Sequence, residues 1–95
     1  MYGRPSTEHT LTIDRMQDGQ NWAQKWVGDR IRQLREQHGI AQEELADRCG
    51  INRTHLSKIE RGKISPSVVT LSQIVGKLNI TMSSFFDGWP HDDKS

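Results

Sequence analysis

Between Leu45 and Ile59 two short runs of helical spacing are joined by four residues, Cys49-Gly50-Ile51-Asn52. So short a joint leaves the chain few ways to continue. Ala46 is small and lets the following helix approach closely. Gly50, four residues on, accepts the left-handed backbone that ends one helix and reverses the chain. Ile51 plugs the corner, Asn52 caps the next helix, and Leu56 and Ile59 point inward. The second run therefore crosses the first and keeps one face outward. Spacings of three and four align Arg53, Thr54, Ser57, Lys58 and Arg61 along that face, all of them hydrogen-bond donors.

The residues around this turn read as further helices. Trp22, Trp26, Val27, Ile31, Leu34 and His38 fall three or four apart, with one adjacent pair, from a start at Asn21, where Gln24 completes a weak capping box. Gly39 stops that helix. The second runs from about Gln42 to Cys49 with Leu45, Ala46 and Cys49 on one face; the third ends at Gly62. Ser65-Pro66-Ser67 opens a fourth, with either serine as cap, Pro66 in the first turn, and Val68, Leu71, Ile74, Val75 and Leu78 as its buried stripe. Thr81 caps a short fifth helix through Ser84-Phe85-Phe86, and Asp87-Gly88 ends it. The expected fold is all-α: four to five short helices around one core in residues 21–89. A flexible N-terminal arm, 1–20, precedes it and a polar tail, 90–95, follows. Thr10-Leu11-Thr12-Ile13 alternates like a strand but has no second strand to pair with.

Composition narrows the classes. A chain of 95 residues holds one domain, and no apolar run approaches the roughly 18 residues of a membrane span. The N-terminus lacks the apolar stretch of a secretory signal. The single cysteine, Cys49, cannot form an internal disulfide, so a reducing, cytoplasmic setting is expected. Net charge is +1, but from Arg48 to Lys63 five cations face one anion, Glu60. Double-stranded DNA is the first partner to test for such a patch; a solvated helix face weighs about as much on those cations alone. His9, His38, His55 and His91 show no ligand spacing with Cys49 or with each other, so no metal is expected. No phosphate loop, carboxylate pair or nucleophile motif points to a cofactor or to an enzyme. Cys49 reads as a small core hydrophobe.

From Val27 to Phe86 the chain resembles the lambda-repressor-like (XRE/Cro) family of bacterial and phage DNA-binding domains. The resemblance rests on Arg30-Ile31-Arg32-Gln33-Leu34-Arg35, Gln42-Glu43-Glu44-Leu45-Ala46, Gly50, Leu56, Ile59-Glu60-Arg61-Gly62-Lys63, Ser65-Pro66-Ser67 and Thr70-Leu71, in order and correctly spaced. One departure is Ala41, where the family commonly has a Ser or Thr cap. The resemblance implies that Gln42 binds phosphate with its side chain and the helix N-terminus, and that Arg53 and Thr54 enter the major groove. It implies that Ser57 and Lys58 touch base edges or sugar-phosphate, that Arg61, Lys63 and the backbone at Gly62 grip phosphate, and that Arg35 and Glu60 form a buried structural salt bridge. A transcriptional regulator, most simply a repressor, is implied, binding a two-fold operator as a homodimer. Phe86 and Trp89 are the candidate dimer patch, while Trp22 and Trp26 either cover the core edge or meet a second subunit. The alternative is a protein-binding module of the same fold, an antitoxin or a transcriptional coactivator, engaging a protein partner through the N-terminal arm.

Overall fold

The computed structural model describes the backbone of residues 6–90 and the side chains from Trp22 onward. The described residues form five helices and no strand: α1 (Ser6–Gln37), α2 (Gln42–Cys49), α3 (Arg53–Glu60), α4 (Val68–Lys77) and α5 (Met82–Phe85). α1 and α2 pack on α3, and α4 connects α2 to α5.

The joint between α2 and α3 is built as its residues dictate. Gly50 takes φ 70°, and its N–H donates back to the carbonyls of Ala46 and Asp47. The N–H of Ile51 reaches Ala46 O at 3.0 Å, which closes the turn. Asn52 then caps α3, its side chain accepting from the N–H of His55 at 2.7 Å. Ala41 makes no side-chain cap on α2. The core beneath is continuous: Ile31 and Leu34 from α1, Leu45, Ala46 and Cys49 from α2, Leu56 and Ile59 from α3, and Leu71, Ile74 and Val75 from α4, closed by Leu78 and Phe85.

Four expectations need correction. The helix boundary placed at Asn21 falls inside α1, because residues 6–20, read as an arm, run on as helix backbone. That stretch has no proline and one glycine, Gly19, which costs a helix only about 1 kcal/mol. Residues 1–5 and the tail from His91 lie outside the described residues, as do the side chains before Trp22. Val68 is 77% exposed and does not belong to the buried stripe of α4. Ser67 is the cap, accepting from the N–H of Thr70 at 3.0 Å, so Val68 sits at the first helical position, before α4 meets the core. For the same reason Pro66 lies outside the helix rather than in its first turn. His38 is exposed beyond the end of α1, its Nδ1 held 2.8 Å from Leu34 O.

Gly28 has a role its position in a helix does not announce. A Cβ there would lie 2.6 Å from Glu60 O and closer still to Ile59 O, both backbone atoms at the end of α3. The missing side chain is what lets α1 cross that end so closely.

Two outcomes follow from this packing. Gly28→Ala should destabilise by about 1–3 kcal/mol, the usual cost of overpacking, despite alanine's better helix propensity; a chemical denaturation midpoint equal to or above wild type would refute the close approach. Burial pushes the Cys49 thiol up, against a smaller opposing effect of Lys77. Native protein should therefore react with a thiol reagent far more slowly than a peptide cysteine. The folded state holds that proton longer than the unfolded chain, so its contribution is complete below the ordinary thiol range and lost as pH rises through the raised value. Denaturation midpoints for wild type and Cys49→Ala across that range should show a shallower alkaline loss in the variant.

Candidate nucleic-acid interface

α3 divides cleanly by face. Leu56 and Ile59 are fully buried, while Arg53, Thr54, Lys58 and Arg61 are exposed along the opposite stripe, with Lys63 exposed just beyond. His55 and Ser57 are half-buried at the margin. Ser57 Oγ accepts a long hydrogen bond, 3.3 Å, from Arg61 Nε one turn on. The ion pairs among the described residues are Asp29–Arg32, Arg35–Glu60 and Glu44–Arg48; none engages Arg53, Lys58, Arg61 or Lys63. The stripe therefore presents four cations whose charge is not neutralised within the described chain.

What holds α3 in place is Glu60, which is 4% exposed. Its Oε2 accepts from Arg35 Nε at 2.7 Å and its Oε1 from Arg35 Nη2 at 3.0 Å, a two-pronged ion pair. Arg35 Nη1 donates to Ile40 O at 2.8 Å, so one guanidinium ties α1, the loop after it and α3. The hydrogen bond to Glu60 is the main reason the Arg35 pKa is raised, outweighing the opposing effect of burial. Among the described residues no buried side-chain nitrogen or oxygen lacks a partner.

A third donor to this carboxylate is Gln42, whose Nε2 lies 3.0 Å from Oε1. The residue expected to bind phosphate with its side chain thus spends one amide N–H on the scaffold. Its backbone still opens α2, where the uncapped first turn leaves N–H groups free for an anion. Glu43 and Glu44 in that same turn oppose a phosphate, although Glu44 is paired with Arg48. At the other end of α3, Gly62 takes φ 74° over the backbone of Lys25, and its N–H donates to Ile59 O at 3.0 Å. Lys63 follows, its N–H on Lys58 O at 2.9 Å. Arg61, Gly62 and Lys63 so form the exit from α3, next to the stripe.

The aromatic residues gather elsewhere, between α1 and the end of α5. Trp26 stacks on Phe86 with centroids 5.8 Å apart and planes 4° apart, and meets Phe85 edge-on at 6.0 Å. Trp89 lies 5.0 Å from both Trp22 and Trp26 and 5.3 Å from Phe86. Trp22 and Trp26 therefore cover the core edge within the chain, though Trp22 stays 42% exposed. Phe86 and Trp89, expected at a subunit contact, are half-buried in this cluster and keep only part of their surface outward. Sequence reasoning missed Arg30, which donates to the carbonyls of Ser84 and Phe85; no local pattern marks a contact across more than fifty residues.

An all-helical core carrying an outward basic helix after a tight turn defines the helix-turn-helix class. The helix-turn-helix family model HTH_3 matches residues 31–85, and the chain belongs to this family. An immunity repressor protein of Bacillus phage phi105 is 36% identical over 58 residues, covering 61% of this chain and 40% of the relative. An uncharacterized HTH-type transcriptional regulator, y4dJ, of Sinorhizobium fredii is 37% identical over 57 residues, covering 60% of this chain and 74% of the relative. The crystal structure of the restriction-modification controller protein C.AhdI from Aeromonas hydrophila matches with a TM-score of 0.65 and 31% identity, over 67% of this chain and 97% of that one. The chain thus spans less than half the length of the phage repressor but nearly all of the controller protein. The family is one of DNA-binding transcriptional regulators, not of enzymes. No helix among the described residues is long and apolar enough to cross a membrane.

The carboxylate that fixes α3 yields a test by paired substitution. Arg35→Met leaves Glu60 buried without its cation, and Glu60→Leu leaves the guanidinium without its anion; each should cost about 3–5 kcal/mol. The double variant removes both charges and should lose clearly less than the sum, with a coupling of about 1–3 kcal/mol. Urea denaturation of the four proteins measures this, and strictly additive losses would show that the pair does not act as a unit.

Proposed function

We infer that this protein is a sequence-specific regulator of transcription, a repressor, that binds double-stranded DNA with α3 in the major groove. The observation that carries the reading is the stripe of exposed cations, without an ion-pair partner among the described residues, on a helix whose opposite face is locked to the core through Glu60. A helix held so firmly is suited to present side chains at fixed positions, and DNA is the polyanion whose groove admits a single helix. Arg53, at the first turn, offers two parallel N–H donors that suit guanine O6 and N7. Thr54, Ser57 and Lys58 complete the base-reading set. Gln42, through the N-terminus of α2, and Arg61, Gly62 and Lys63 take the phosphates.

The protein acts as a homodimer, its outward remnants of Phe86 and Trp89 meeting those of a second copy. It reads a two-fold operator whose half-site centres lie about one helical turn, ~34 Å, apart. The names of the phage immunity repressor and the bacterial regulators agree with a role at promoters inside the cell. A protein-binding module of the same fold has no need of the unpaired stripe.

Base-reading and phosphate-binding residues should fail differently. Arg53→Ala should cost about 1–3 kcal/mol on the preferred site and relax the preference at one base pair in each half. Lys63→Ala should weaken all sequences alike and reduce the salt slope by roughly one unit per lost contact. A salt titration of both variants on a duplex selected from a random pool, and on its scrambled version, separates them. Equal losses on the two duplexes for Arg53→Ala would make Arg53 a phosphate clamp. An absence of any selected site would end the DNA reading.

A further inference from the structure

Arg30 is a charged side chain for which DNA reading has no use. It leaves α1 one turn after Trp26 and crosses to the end of α5, where Nε donates to Phe85 O at 2.8 Å and Nη2 to Ser84 O at 2.9 Å. Both carbonyls belong to the last turn of a four-residue helix: Ser84 O also accepts from the N–H of Asp87 at 3.1 Å, whereas Phe85 O takes no backbone N–H among the described residues. Nη1 rests against Gln33 Oε1 at 3.4 Å, which steadies the guanidinium from its own helix. Trp26 grips the same element by its rings, against Phe85 and Phe86. α1 therefore holds α5 at two points, backbone and aromatic. Five residues beyond Arg30 the same helix holds α3 through Arg35 and Glu60. It is a strut with the reading helix clamped at one place and the Phe86–Trp89 cluster at another.

We propose that Arg30 is a positioning residue that sets the separation of half-sites the dimer accepts. The inference rests on the homodimer reading above, with Phe86 and Trp89 at the subunit contact. A guanidinium on two neighbouring carbonyls fixes direction as well as distance, which a single ammonium cannot do. A helix of four residues has too little structure of its own to keep one orientation without such a clamp. With the clamp in place the two copies of α3 stand at one separation. Without it α5 swings, and the pair of reading helices follows neighbouring spacings. One inserted base pair moves the half-sites by about 3.4 Å and turns one against the other by roughly 35°, far beyond what a fixed set of hydrogen bonds tolerates.

The test uses the full chain and a duplex selected from a random pool, together with the same duplex carrying one or two base pairs added or removed between its halves. Wild type should lose about tenfold or more in affinity at each changed spacing, the size of one misplaced contact. Arg30→Met, shown folded by its helical spectrum and thermal transition, should bind an isolated half-site as wild type does yet discriminate between spacings less than about threefold, the slack left by one lost orientation contact. Arg30→Lys, which keeps the charge and reaches one carbonyl, should fall between the two and decides the matter if the methionine variant does not fold. A purely structural Arg30 would lower the melting temperature and leave the spacing preference untouched. A spacing-selective wild type with an equally selective folded variant therefore overturns the inference alone. A wild type indifferent to spacing overturns the homodimer reading and this inference together.

Discussion

The carboxylate of Glu60 is the point to which the rest of the molecule is tied. It lies at the end of α3, nearly out of solvent, and takes three donors from two other parts of the chain: two from Arg35 on α1 and one from Gln42 at the start of α2. Removing a carboxylate from water is expensive, and a single cation seldom offsets it. Here both oxygens are engaged, and the cation's third nitrogen, Nη1, donates to Ile40 O. Such a pair adds little stability over a well-packed apolar substitute. What it adds is direction: the angle between α3 and the two helices behind it is set by bonds rather than by the shapes of Leu56 and Ile59 alone.

α1 turns that local geometry into the geometry of the whole. Within one stretch it presents Trp26, Gly28, Arg30 and Arg35, each spent on a different neighbour. Gly28 is the permissive member, since any side chain there would meet the carbonyls that end α3. Arg35 then engages the carboxylate from the same side. The close crossing and the ion pair support each other, because a helix pushed outward by a methyl group would lengthen both prongs of the bridge.

The parts legible in the sequence are those with local causes. α2 and α3 were visible because Gly50 and Asn52 end and begin helices by their own chemistry, and because Leu45, Leu56 and Ile59 repeat at helical spacing. The stripe from Arg53 to Arg61 followed from the same period, since one face buried leaves the other outward. Val68 was misplaced because an apolar residue three before Leu71 fits the stripe whether or not the helix has yet reached the core. The start of α1 was misplaced because weak signals, a capping pair at Asn21 and polar residues before it, carry no information about whether a helix already under way continues. Gln42, Gly28 and Arg30 act through residues eighteen to fifty-five positions away, and nothing in their immediate neighbours points there.

The choice of cation divides along the same line between scaffold and surface. Arg30 and Arg35, which face inward, each use several prongs of a planar fork on oxygens fixed by the backbone or by a buried carboxylate. Lysine in either place would keep the charge and lose the direction. Lys58 and Lys63, on the outer side, engage no acid within the described chain and keep long, mobile stems. At Lys63 such a mobile point charge suits a phosphate, whose position shifts with groove width and local bend. Arg53 stands between these groups: a fork like the scaffold arginines, yet left exposed and without an acidic partner among the described residues. A fork held in readiness matters only where the partner presents two acceptors at a set distance. A single phosphate oxygen makes no such demand, whereas a base edge does. The residue type at position 53 therefore agrees with its place at the front of α3: rigid enough in shape to discriminate, and free enough in the unbound protein to do so.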